Sequence, residues 1–589
     1  MRRPNIISKA MCGLAAVGLV GAPSVTAADA RSIVRPPVAK PAHPVNCSIF
    51  SRVNEDRYSN RRANSGITTS AQPSVLSGAQ LPPPLSPMPA APVAKSVIGG
   101  TAVQESRVGP YPYPYPLPRP EAESRERYDG KEVASIKRVA DEPVSTFAVD
   151  VDTGSYTNAR RFLNEGRLPP KAAVRTEEMI NYFRYDYPKP TNRKTPFSVS
   201  TDMSATPWND ASRLLRIGLR GYDINSAERP QANLVFLVDV SGSMGSAKKL
   251  PLVKSTLTAL ANELRSDDRV SIVVYSGRVG LLLAPTSNKD HVKKAVDCLY
   301  ASGSTAGGDA LKLAYSTARH NFLKGGINRI IMATDGDFNV GTSNTDELKE
   351  YVAKQRESGV TLTMLGYGTG NIRDELMEGI ANVGNGNYAY IDSAMEAQKV
   401  LGEELSSTLF TIAKDVKIQI EFNPVHVKEY RLIGYENRLL AEEDFDNDSI
   451  DAGDIGAGHQ VTALYEIMPA DAAGWLPARR YPANRVVEWQ PNFGNEMANV
   501  KLRYKLPQGS SSRLISKPIS ANGLTNAQQP SGDMAFAVAV AAFGQKLRGD
   551  KYLGDYDFQN IGLLSGEGGN YWRQEFRKLN NLAENSSRN

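Results

Sequence analysis

A chain of 589 residues is too long for a single hydrophobic core. Its composition, 41% hydrophobic and 22% charged, is that of a folded, water-exposed protein, and a formal charge of +6 with no stripe of Lys and Arg interleaved with aromatics argues against nucleic-acid binding. Three cysteines exclude a disulfide-built scaffold.

Residues 1–27 read as a signal peptide. Arg2, Arg3 and Lys9 give a positive start, Ala10–Gly21 is a short apolar core, and Val25-Thr26-Ala27 offers small residues for cleavage. The apolar core falls well short of the roughly 20 residues a membrane span needs. The mature chain is therefore expected to have no transmembrane segment and to be exported, either periplasmic or envelope-associated. Cys12 lacks the Leu-led, small-residue sequence that precedes a lipidated cysteine.

Residues 28–140 are expected to be a disordered, Pro-rich linker. Leu81-Pro-Pro-Pro-Leu85 and the alternating Pro110-Tyr-Pro-Tyr-Pro-Tyr-Pro116 favour extended polyproline geometry. Cys47 lies within it. Cys298 shares a helical apolar face with Val292, Ala295, Val296 and Leu299, where a cysteine serves as a small hydrophobe. No bond between Cys47 and Cys298 is expected.

An N-terminal accessory domain is expected over 141–229. STFAVDVDTGSY reads as a strand and turn, with Ser155 capping the helix that follows. A second helix is expected over Thr176–Phe183, and the alternating stretches Phe197–Met203 and Leu214–Leu219 read as half-buried strands. Residues 230–412 then alternate strand and helix, which predicts an α/β fold with a doubly wound, mainly parallel sheet. The short connection inside Arg269–Leu283 makes one edge strand antiparallel. The last helix of this region is expected over Ala394–Ser407. Residues 413–589 turn first to β, in DVKIQIEF, VTALYEIM and NVKLRYKL, and then to helix, in Gly532–Leu547 and Tyr571–Leu582. The β-rich flanks bracket the central region, so they are expected to pair with each other as a β-sandwich beside it.

The chemistry concentrates where Leu234–Val238, a fully apolar strand, ends in Asp239, Ser241 and Ser243. Ligands of open parallel sheets bind just past the carboxyl ends of strands. Thr305 in SGSTAGGD and Asp335 in IIMATDGD follow elements of the same sheet. This set resembles the metal-ion-dependent adhesion site of von Willebrand factor type A (VWA) domains, which combines D-x-S-x-S, a loop threonine and a TDG aspartate. The flanks STFAVDVDTGSYTNARRFLNEGRLPP, EEMINYFRYDYP and EEDFDNDSIDAGDIGAGHQVTALYEI resemble those of exported bacterial VWA proteins that carry an accessory domain on each side. The resemblance implies a divalent cation on Asp239, Ser241, Ser243, Thr305 and Asp335, and a partner protein whose Asp or Glu completes the shell. Mg²⁺ is the expected ion, and hydroxyl and carboxylate ligands also tolerate Mn²⁺ and Ca²⁺. No enzymatic activity is expected, and the oligomeric state is not assigned.

Competing motifs are weaker. Asp150-Val-Asp152-Thr153 matches the start of haloacid-dehalogenase-type phosphatases, with Asp150 as nucleophile and Asp152 as acid/base, but only about eighty residues separate it from the central strand. Asp444-Phe-Asp446-Asn-Asp448 lacks the glycine and the final glutamate of a calcium loop. Gly366-Tyr-Gly368-Thr-Gly370 is an incomplete dinucleotide fingerprint, and no histidine lies in H-E-x-x-H. A metal-free envelope scaffold is the remaining alternative.

Overall fold

The central region forms one six-stranded sheet: β1 (Ala232–Asp239), β2 (Arg269–Tyr275), β3 (Val279–Thr286), β4 (Ile327–Thr334), β5 (Thr361–Tyr367) and β6 (Tyr388–Ile391), in the spatial order β6-β5-β4-β1-β2-β3. These come from a computed structural model that describes residues 44–50, 126–128, 130–149, 152–225, 228–304, 307–336, 345–403, 410–450, 452–480 and 493–588. All neighbours are parallel except β2 and β3, which pair as the expected antiparallel hairpin.

Every residue of β1 is buried, because helices cover both faces of the sheet. Leu234, Phe236 and Val238 face α1 (Leu250–Glu263) and α2 (Lys289–Cys298). Val235 and Leu237 face α3 (Gly308–His320), α4 (Thr345–Arg356) and α5 (Asp374–Val383). Of the helix expected over Ala394–Ser407, Ala394–Gln398 is α-helical and Lys399–Glu403 π-helical, and 404–407 lie outside the described residues.

The flanks share their sheets. Val144–Ala148 pairs with Thr411–Phe422, and Asn209–Gly221 pairs with Gln460–Pro469, so each sheet of the accessory region draws strands from both sides of the central segment. One sheet runs 137–138, 427–432, 460–469, 209–221, 197–206; the other runs 439–440, 144–148, 411–422, 496–505, 512–520. Leu215, Ile217, Tyr465 and Ile467 from the first pack with Phe147, Ile418, Val500 and Leu502 from the second, which makes the expected sandwich. Leu214 and Leu464, on the opposite face of the first sheet, join Met179, Phe536 and Phe576 under the C-terminal helices.

The accessory region and the central sheet are joined by buried ion pairs. Arg160 bonds Tyr182, Asp392, Glu396 and Glu575, and Arg175 donates to Asp374 and Glu178. The helix Gly154–Asn164 lies directly on the β6 edge: a Cβ on Gly154 would sit 2.6 Å from the Tyr388 ring. Ser155 is therefore inside the helix rather than its cap. Its Oγ donates to Ala173 O and accepts from Arg175 N, tying the helix to the following turn.

Two expectations about the Pro-rich segment are corrected. Residues 44–50 dock on the free edge of β3, where Asn46 N donates to Leu282 O and Ala284 N to Pro44 O, with Val45, Ile49 and Phe50 against the core of the central sheet. Cys47 and Cys298 form a disulfide there. Three apolar side chains and an exposed strand edge supply what the Pro-rich context obscures: a reason for this stretch to fold. Residues 126–128 are ordered as well, since Arg127 pairs with Arg373 as an isolated bridge.

Candidate functional site

The rim past the carboxyl ends of β1 and β4 is assembled by backbone contacts. Val240 N donates to Tyr275 O, Ser302 N to Val240 O, and Gly242 N to Gly303 O, so the loop after α2 lies on the D-x-S-x-S loop. Gly336, at φ 91°, lets the chain turn after β4 against Asn371–Arg373, where a Cβ would lie 2.6 Å from Asn371 O.

Four of the five expected ligands are described, and they fall on this rim. Asp239 and Asp335 are both 0% exposed. Asp239 Oδ1 accepts from Ser241 N at 2.8 Å, and Thr334 Oγ1 lies 3.3 Å from its Oδ2. Ser241 Oγ and Ser243 Oγ are 3.0 Å apart, and Ser243 is exposed. Thr305 lies outside the described residues, as does Asp150; Gly303, two residues before Thr305, is bonded to the Asp239 loop.

The electrostatics of the rim are strained in one direction. Burial pushes the Asp239 carboxyl up to about 6, and the Asp335 charge adds to the shift against the opposing bond from Ser241. The residues fit a small divalent cation on two counts. Two buried carboxylates relieve their desolvation and mutual repulsion by sharing a cation. Adjacent oxygens of an octahedron with metal–oxygen distances of about 2.1 Å lie about 3 Å apart, which matches the Ser241–Ser243 spacing. When bound, such an ion supplies an electrophilic position for an anionic oxygen.

Lys249 is the participant that sequence reasoning missed. Its Nζ donates to Asp335 Oδ2 at 2.8 Å with both groups buried. In the sequence it reads only as part of the Lys248-Lys249 pair ahead of α1. Tyr275 and Thr334, at the ends of β2 and β4, are also buried here and look like ordinary strand residues from pattern alone.

The competing motifs find structural roles. Asp152 is buried: its Oδ1 accepts from Tyr388 N at 2.8 Å and so clips the accessory region to β6, and its Oδ2 accepts from Arg438 Nη2 at 2.9 Å within the accessory region. Asp152, Glu178 and Glu378 bring carboxylate oxygens within 4.8 Å of one another, but Arg175 and Arg438 sit among them as counter-charges. Asp446 and Asp448 pair with Arg503 at the surface, as a solvated acidic loop does. Gly370 N donates to Glu126 Oε1, which occupies the third glycine of G-x-G-x-G in holding residue 126.

Comparison with known proteins follows this division. The von Willebrand factor type A domain description matches residues 233–403, a von Willebrand factor description matches 122–216, and that of the YfbK C-terminal region matches 407–585. The uncharacterized protein YfbK of Escherichia coli K12 is 47% identical over 471 residues, covering 78% of this chain and 81% of that one. The chain belongs to the YfbK family. A more distant relative is the inter-alpha-trypsin inhibitor heavy chain H3 of Mesocricetus auratus, 23% identical over 354 residues that cover 53% of this chain and 39% of that protein. Among solved structures, the von Willebrand factor type A protein of Catenulispora acidiphila aligns over 61% of this chain and 80% of its own, with 16% identity and a TM-score of 0.34. VWA domains mediate protein–protein interactions, so the YfbK architecture supports an interaction or adhesion role. No helix among the described residues is long and apolar enough to cross a membrane.

Proposed function

We propose that this YfbK-family chain is an exported, envelope-side protein-binding protein with no catalytic role. In this reading Asp239, Ser241, Ser243, Thr305 and Asp335 hold a divalent cation, Mg²⁺ first, and a partner's Asp or Glu completes its shell. The carrying observation is the convergence of two fully buried carboxylates and a close serine pair on a rim that opens at Ser243. Two acidic and three neutral oxygens balance a divalent charge without saturating it, which leaves the ion able to attract one further carboxylate. Export is supported by the residue pattern of 1–27 and by the Cys47–Cys298 disulfide, which suits an oxidising compartment.

The test is a pull-down from envelope extract with wild type and Asp239→Ala, each with and without chelator. A protein captured by wild type should be lost both with chelator and with D239A. Capture that survives both would place the binding surface elsewhere on the molecule.

A further inference from the structure

Lys249 precedes α1, yet its side chain is turned inward. It is 6% exposed, and Nζ lies 2.8 Å from Asp335 Oδ2, where Asp335 is itself 0% exposed. The methylenes of Lys249 are seated against Gly368, at φ 74°, where a Cβ would come within 2.3 Å of Lys249 Cγ. A hydrogen in place of a side chain at 368 is therefore what makes room for the lysine stem.

The segment that includes Gly368 is itself held from outside. Gly370 N donates to Glu126 Oε1, Arg127 N to Ile372 O, and Asp374 N to Arg127 O. Gly336, the residue after Asp335, packs on Asn371–Arg373. A continuous set of contacts thus runs from residues 126–128, across 368–374, to Lys249 and Asp335.

The charges at the rim give this arrangement a consequence. Asp239 and Asp335 supply two negative charges, and Lys249 supplies one positive charge already bonded to a proposed ligand oxygen. A buried ammonium on that oxygen repels an incoming cation and competes with it for the same lone pairs.

We propose that Lys249 is a built-in counter-ion of the rim, so that divalent-cation binding is an exchange in which the ammonium leaves Asp335. Residues 126–128, by holding the 368–374 segment, keep the lysine in place and lower the affinity of the site for metal. The inference rests on the divalent-cation reading of the rim and adds a regulator to it: a partner that lifts 126–128 would also raise metal affinity.

The experiment is calorimetric titration of Mn²⁺ into the whole protein, with wild type and Lys249→Met, alongside melting curves in chelator. K249M should bind Mn²⁺ at least tenfold more tightly than wild type, and its melting temperature in chelator should fall because Asp335 has lost its counter-charge. Lys249→Gln, which removes the charge but keeps a donor for Asp335, should show the same gain in affinity and serves if K249M fails to fold. Equal or weaker Mn²⁺ binding by the neutral variants overturns the exchange while leaving the cation site standing. Absence of binding in wild type and neutral variants alike overturns both.

Discussion

At the residue scale, burial and pairing decide which carboxylates are structural. Glu178 is fully buried on its helix, and burial pushes its carboxyl up to about 7 despite Arg175 beside it. The unfolded chain releases that proton near 4.5, so between about pH 4.5 and 7 the folded state holds a proton that the unfolded state lacks. Stability from this group is therefore greatest below about 4.5 and falls as pH rises to 7. Glu178→Gln should remove that slope. Urea unfolding at pH 5 and pH 7.5 checks it: the gap in stability between the two should be smaller in the variant, and an unchanged gap would contradict the assignment. The gathering of Asp239, Ser241, Ser243 and Asp335 on one rim was legible because D-x-S-x-S and TDG put oxygen-bearing side chains at the ends of two neighbouring strands, while Thr305 lies outside the described residues. Lys249 was not, because nothing in Lys248-Lys249 marks which of the two turns inward; that depends on Gly368, over a hundred residues away.

At the element scale, the α/β segment was readable because strands buried on both faces and helices with one apolar face have distinct periods. The hairpin of β2 and β3 followed from a connection too short for a crossover helix. Residues 44–50 were unreadable, since their folding depends on an edge offered by β3 and on a cysteine 251 positions away. The disulfide joins this short segment to the end of α2, and the chain then runs directly into Ser302 and Gly303 beside the Asp239 loop. Closing so long a loop restricts the unfolded chain, and Cys47→Ser with Cys298→Ser should cost about 2–5 kcal/mol. Non-reducing peptide mapping should recover a Cys47–Cys298 linked peptide, and reductant should lower the melting temperature of wild type but not of the double variant. Equal sensitivity to reductant in both would contradict it.

At the scale of the whole molecule, the sequence order of flank, VWA segment and flank conceals a shared structure. The pairing of 144–148 with 411–422 and of 209–221 with 460–469 makes the VWA segment an insertion between strands of one sandwich. Alternating strands on both sides made that pairing a reasonable expectation, while the arginine clamps at Arg160, Arg175 and Arg438 had no sequence signature. These clamps, from Arg160 to Asp392, Arg175 to Asp374 and Arg438 to Glu378, hold the β6 side of the VWA sheet against the accessory region, and Ser243 on the rim is exposed. In the proposed reading, this exposed face of the rim is where a partner's carboxylate would reach the ion. Crystals soaked in Mn²⁺ and measured at the manganese absorption edge test this most directly. An anomalous peak at the rim, about 2.1–2.3 Å from the Ser241 and Ser243 hydroxyl oxygens, is the predicted result; an empty rim in crystals that bind Mn²⁺ elsewhere would contradict it.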